Sequence, residues 1–240
     1  MTGKIEVPRE EESKVIVKRR QKRLVGIFID GTGLDRATRR LNRRVDLSAL
    51  IRGVSAGTTP LVARYYTLIP YEDDSRHRAF LDAVSRAGLS VFVKRLPPKG
   101  VSRQVSIDSE MSADIAAFAM GHSAFPAPAL EEPMAKPPSG PGIAMPLPGG
   151  ARPMRLQPVP EAEPNPQPEP IPEQLAPGTE VLRSVIVVCP SRDLVYAISL
   201  AREIGVDTVT ADFGRFNHDN ILKSAAKWID LSDSETIWKD

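Results

Sequence analysis

Leu24-Val25-Gly26-Ile27-Phe28-Ile29-Asp30-Gly31-Thr32-Gly33-Leu34 is the stretch whose reading decides the fold. Six apolar residues run without polar alternation, as in a strand covered on both faces and placed centrally in a parallel sheet. The run stops at Asp30, followed by the permissive glycines 31 and 33. In open parallel sheets, ligands bind beyond the carboxyl ends of the strands, which makes Asp30 the first candidate for chemistry.

Working outward, the same grammar repeats. Leu61–Ile69, Leu89–Leu96, Val181–Cys189 and Val206–Phe213 read as four further strands, rich in β-branched and aromatic residues. Between them lie helical stretches. Asp46 is placed to cap Leu47–Val54, with Leu47, Leu50, Ile51 and Val54 inward. Phe80, Leu81, Val84 and Ala87 form a stripe on Asp73–Ala87, and Met111, Ile115 and Phe118 another on Ile107–Gly121. Leu194, Ala197, Ile198 and Ala201 face inward on a helix from Ser191. Ile221, Ala225 and Trp228 do so on a last helix, Asn217–Trp228. Alternating strands and helices predict an α/β fold, a three-layer α/β/α domain with a mostly parallel five-stranded sheet.

Two segments fall outside this pattern. Residues 1–23 read as a charged tail, with no apolar stretch of signal-peptide kind. Residues 122–180 hold 17 of the chain's 23 prolines and a single aromatic, which predicts a disordered, partly polyproline II insertion. The domain is therefore expected over 24–121 and 181–235, split by the insert. A single cysteine, Cys189, excludes a disulfide framework or CxxC site, and three scattered histidines lack metal-ligand spacing. No apolar run reaches 18 residues, so no membrane span is expected and the cytoplasm is the default location.

Charge is local. Formal net charge is only +2, yet Lys14–Arg44 holds 11 Lys/Arg against two Asp. Arg36, Arg39, Arg40, Arg43 and Arg44 have the spacing of one helical face, an expected phosphate-binding wall beside Asp30. On the helix after Ile107, Asp108 and Asp114 flank the apolar stripe. Asp108 reads equally as a helix cap, whereas Asp114 is mid-helix, where a carboxylate turned inward needs a partner or a cation. Glu110 is an auxiliary acid or a solvated one. With Asp193 these acids form a set of hard oxygen donors suited to Mg²⁺ or Mn²⁺, which activate water against phosphodiesters. Other readings of the glycine turn fail. A DxDGT phosphatase needs an acid where Phe28 stands, a GxGxxG turn a glycine where Arg36 stands, and a CxxxxxR loop an arginine where Val195 stands.

Together FIDGTGL, ARYYTLIP, IDSEMSADIAAFA, VIVVCPSRDLVYAISLAREIG and ILKSAAKWIDL resemble, in order, the segments of the NYN domain. The likeness is to the LabA-like branch of the PIN-like nuclease superfamily, and it covers roughly 24–121 and 181–234. The resemblance implies a metal-dependent ribonuclease. It sets Asp108 and Asp114 on the family's helix aspartates and Asp193 on the second acid of SGDSDF. Asp30, Asp108, Asp114 and Asp193 are then the expected catalytic and Mg²⁺- or Mn²⁺-binding residues, and RNA the expected partner. The chain departs from the pattern where Gly33 replaces an Asn and Ser191 an Asp, so a weakened RNA-binding or regulatory module is the rival expectation. A protein partner for the proline-rich insert and self-association of the chain are further expectations.

Overall fold

The computed structural model describes residues 21–72, 75–125, 180–214, 219–232 and 235–239. The expected tail up to residue 20 and the proline-rich stretch 126–179 lie outside the described residues.

Six parallel strands form one sheet in the order β3-β2-β1-β4-β5-β6. They are β1 (Gln21–Asp30), β2 (Val62–Ile69), β3 (Ser90–Arg95), β4 (Glu180–Val188), β5 (Asp207–Asp212) and β6 (Lys227–Asp230). Among the described residues six α-helices connect or follow them: α1 (Gly31–Leu41), α2 (Leu47–Val54), α3 (Ser75–Arg86), α4 (Asp108–Ala119), α5 (Val195–Glu203) and α6 (Asp219–Ser224). Strand order reverses between β1 and β4, so the sheet's switch point, where open α/β sheets form their ligand crevice, lies at the end of β1.

The central strands carry a core on each face. Val25, Ile27 and Ile29 of β1 join Ile186 and Val188 of β4 in one core, under Leu34 and Ala37 of α1, Leu50 and Ile51 of α2, and Val84 of α3. Phe28, Val185 and Val187 face the opposite core with Met111, Ile115 and Phe118 of α4 and Ala197, Ile198 and Ala201 of α5. Gly26 has no side chain because the Phe118 ring occupies that place: a Cβ there would sit 2.8 Å from it. This two-sided burial is what the unbroken apolar run in β1 encodes.

Four expectations need correction. β1 starts at Gln21, because its amino end pairs with Glu180–Leu182 of β4, so residues 21–23 belong to the sheet. A sixth strand stands where the end of a helix was expected. α6 stops at Ser224, the Ala226 N–H donates to Thr208 Oγ1 (2.9 Å), and Lys227–Asp230 then pairs with β5. Trp228 consequently points outward and is 42% exposed. On α3 only Val84 of the expected stripe is fully covered, and Phe80 is 46% exposed. Among the described residues no helix is long and apolar enough to cross a membrane.

Candidate acidic site at the sheet switch point

Asp30 closes β1 and caps α1. Its Oδ1 accepts from the backbone N–H groups of Thr32 (2.9 Å) and Gly33 (3.0 Å), two donors that a helix start otherwise leaves unmet. The side chain is buried, and burial pushes its pKa up to about 6. The charge of Asp108 adds to the rise; the two N–H donors and Arg36 oppose it. Gly33 is fixed by packing: a Cβ would overlap the Cys189 carbonyl oxygen and lie 3.1 Å from Asp30 Oδ2. The asparagine that the NYN resemblance expects here therefore has no room on this backbone.

Asp108 opens α4 from the opposite side of the sheet. It does not cap the helix; the Ser106 hydroxyl accepts from the Asp108 N–H (3.0 Å). The Asp108 carboxylate accepts from two hydroxyls, Ser106 Oγ on Oδ2 and Ser191 Oγ on Oδ1 (2.5 Å). Ser191, where the resemblance expects an acid, is thus a hydrogen-bond donor to the acid across the crevice.

The structure brings in two acids that sequence reasoning missed. Asp212 ends β5, buried, accepting from the Phe213 N–H (2.6 Å). Burial pushes its pKa up to about 6, and the charges of Asp30 and Asp230 push the same way. The Cys189 thiol donates a hydrogen bond to Asp212, and the charges of Asp212 and Asp30 both push its pKa up. Cys189 is buried and has a φ of 51°, a left-handed bend rare for a residue with a side chain, where β4 leaves the sheet. Asp230 ends β6 and accepts from Gly214 N–H (3.2 Å) and Ser232 N–H (2.9 Å). The signal for Asp212 was present: VDTVTAD ends in an acid, as LVGIFID does.

Two of the expected acids have other surroundings. Asp114 Oδ2 accepts from Arg64 Nη1 (2.6 Å) and from the Tyr66 hydroxyl (2.6 Å), in the α4 side of the core. Its inward position is thereby satisfied by an ion pair. Asp193 lies exposed on the short turn Arg192–Leu194. Glu110 pairs with Lys94 at 2.5 Å. The arginine face also changes. Asn42 ends α1 in the left-handed conformation (φ 50°), so Arg43 and Arg44 leave the helix that carries Arg36, Arg39 and Arg40. Arg39 pairs with Asp35 (2.9 Å), and the Arg43 guanidinium lies 4.2 Å from the centre of the Trp238 ring. Arg36 acts on Asp30 directly through its charge.

Among the described residues, no group of three or more His, Cys, Asp or Glu side chains is arranged to hold a metal ion. The donor set nonetheless fits a sparser site. Mg²⁺ is commonly held by one or two carboxylates, with water and substrate phosphate completing its shell. Asp30 has a carboxylate oxygen beyond its capping bonds; the charge of Asp108 raises its pKa, and Asp30 in turn raises that of Asp212.

No family model matches the chain, and no curated protein matches it. A crystal structure of a protein of unknown function from Vibrio parahaemolyticus shares the architecture, with a TM-score of 0.55 and 10% sequence identity. The superposition covers 92% of this chain and 97% of the other. At that identity the likeness is one of fold.

Proposed function

We propose that the chain is a metal-dependent ribonuclease of the NYN and PIN-like type, acting at the acidic crevice on the phosphodiester backbone of RNA. The observation that carries this reading is the pair of buried carboxylates, Asp30 and Asp212. Both are pushed up to about 6 and set at the carboxyl ends of β1 and β5. Holding like charges buried together is unfavourable unless a cation or a proton compensates them. Such shifts cluster at functional sites.

In this reading Asp30 and Asp212 would hold Mg²⁺ or Mn²⁺, with Asp108 as a neighbouring charge, and the ion when bound would supply charge stabilisation and an activated water. Without a metal Asp30 is ionised above about pH 6, and its Oδ2, free of the capping bonds, would be the oxygen available to a ligand or a proton. Arg36 offsets charge at the crevice mouth, and the exposed Arg36, Arg39 and Arg40 provide a cationic flank along α1. Ser191 orients Asp108 through its 2.5 Å bond. A cytoplasmic location, self-association and a protein partner for the proline-rich segment belong to the same proposal.

Labelled single-stranded RNA incubated with the full chain in Mn²⁺ or in EDTA tests it. Cleavage is expected only with the metal and is abolished by Asp30→Asn. Absence of cleavage, or cleavage indifferent to that substitution, refutes it. A second reading, an RNA-binding module with weakened turnover, is favoured by the two hydroxyls engaging Asp108. Under it RNA binds without being cut.

A further inference from the structure

We propose that a second cavity, off the acidic crevice, is a nucleotide subsite that seats one base of a single-stranded RNA and an adjoining phosphate. The inference deepens the reading above and rests on RNA being the ligand. The cavity measures about 610 Å³, within the range of small-ligand sites, and lies between α1, the start of α2 and α3. Its lining includes four cations, Arg43, Arg44, Arg86 and Lys239. The two acids that also line it are engaged. Asp35 pairs with Arg39 at 2.9 Å, and Asp46 caps α2 by accepting from the Ala49 N–H at 3.0 Å.

The cations are held there by the fold. Val45 and Trp238 form an antiparallel bridge, flanked by Asp46 N–H to Ile237 O (2.8 Å) and Lys239 N–H to Arg44 O (2.9 Å). Segments almost 200 positions apart in sequence thus bring Arg43, Arg44 and Lys239 together. The Arg43 guanidinium carbon lies 4.2 Å from the centre of the Trp238 ring, a cation–π contact that holds its charge at this place. Gathered like charges are an anion site in waiting.

The apolar half of the cavity supplies a base platform. Phe80 is 46% exposed, although Val84, one turn later on the same helix, is fully buried. Its ring meets Tyr65 edge-on with centroids 6.0 Å apart, which holds the Phe80 face in place. An exposed aromatic beside a cationic rim is how sequence-tolerant single-strand binders take a base. Tyr65 also ties the cavity to the crevice: it lines the cavity and packs against Gly31, next to Asp30. Leu34, on the cavity wall, is about one helical turn from Asp30. Asp30 caps the start of α1 and Arg43 and Arg44 follow its end, so a strand engaging both places would have to run the length of an 11-residue helix, about 16 Å.

Anisotropy of a fluorescein-labelled 12-mer oligouridylate, titrated with the full chain in EDTA, tests the assignment. Phe80→Ala is expected to weaken binding about 5- to 150-fold. Phe80→Trp is expected to bind as wild type, with new tryptophan emission that RNA quenches. Arg44→Glu and Lys239→Glu are expected to weaken binding and flatten its salt dependence. Wild-type affinity in Phe80→Ala and Arg44→Glu, or an unquenched Phe80→Trp, overturns the subsite. So does equal displacement of the oligouridylate by polyglutamate, which marks an unspecific anion patch. Cleavage in Mn²⁺ with binding untouched by these variants sinks the subsite and leaves the ribonuclease reading. The expected binding losses without cleavage do the reverse.

Discussion

Asp30→Asn is expected to stabilise the protein, by an amount that depends on pH. The folded carboxyl has a pKa near 6, against 3.8 for the ordinary group. Each tenfold change in proton affinity is worth about 1.4 kcal/mol, so the ionised form costs the folded state up to about 3 kcal/mol. The sign follows from linkage. Between pH 3.8 and about 6 the folded chain holds a proton that the unfolded chain has released, so stability falls as pH rises through that window. Below it both states are protonated and the penalty vanishes; above it the penalty is constant. Asparagine keeps an Oδ1 acceptor for the Thr32 and Gly33 N–H groups and removes the charge. Thermal melts in EDTA at pH 4, 5, 6, 7 and 8 are the assay. The variant should melt with the wild type at pH 4 and above it at pH 8, at about 2–4 °C per kcal/mol for a domain of this size. A gap that does not change with pH, or a variant less stable at pH 8, would refute the claim that burial and neighbouring charge burden Asp30. Asp212→Asn should behave alike, and the double variant should gain less than the sum, since Asp30 raises Asp212.

Asp114→Ala should destabilise by about 1–3 kcal/mol in chemical denaturation, because it removes the buried carboxylate that accepts from both Arg64 and the Tyr66 hydroxyl; an unchanged denaturation midpoint would contradict it. Gly33→Asn should lower the melting temperature and fail to raise RNA cleavage, since the new side chain would overlap the Cys189 carbonyl; rescue of cleavage would mean that the turn relaxes. Ser191→Asp sets a second carboxylate against Asp108 in place of a donated hydrogen bond. It should lower stability in EDTA and make melting more sensitive to Mn²⁺, and an unchanged Mn²⁺ response would contradict it.

What the sequence made legible is what local periodicity encodes. Val25, Ile27 and Phe28 announce a strand buried on both faces, and Met111, Ile115 and Phe118 are all fully buried where their spacing puts them. Asp46 caps α2 as its position foretells. β6 escaped because Lys227–Asp230 is a four-residue edge strand, in which Trp228 suited a helical stripe as well as a strand face. The candidate site was half visible for a related reason. Asp30 ends a long apolar run, whereas Asp212 ends a short strand in which Thr208 and Thr210 are buried and blur the pattern. Asp114 reads as inward, and is, but spacing along α4 carries no information that β2 supplies Arg64 and Tyr66 to meet it. The arginine face broke at Asn42, whose tolerance of a left-handed cap is visible only as a residue type.

The pairing of β1 with β4 has a consequence for how the chain is made. It runs from Gln21 opposite Glu180 to Ile29 opposite Val188, and the first partners are 159 positions apart. During synthesis β1 can pair with β2 early, but its other edge waits for β4. At roughly 5–20 residues per second the wait is on the order of 8–30 s. Throughout it Ile27, Phe28 and Ile29 would border an open edge that invites pairing between nascent chains. The first residues of that edge are Gln21, Lys22 and Arg23, and like charges there repel a second copy. Replacing Lys22 and Arg23 with valine should therefore leave the finished fold intact and raise the fraction of newly made protein that aggregates.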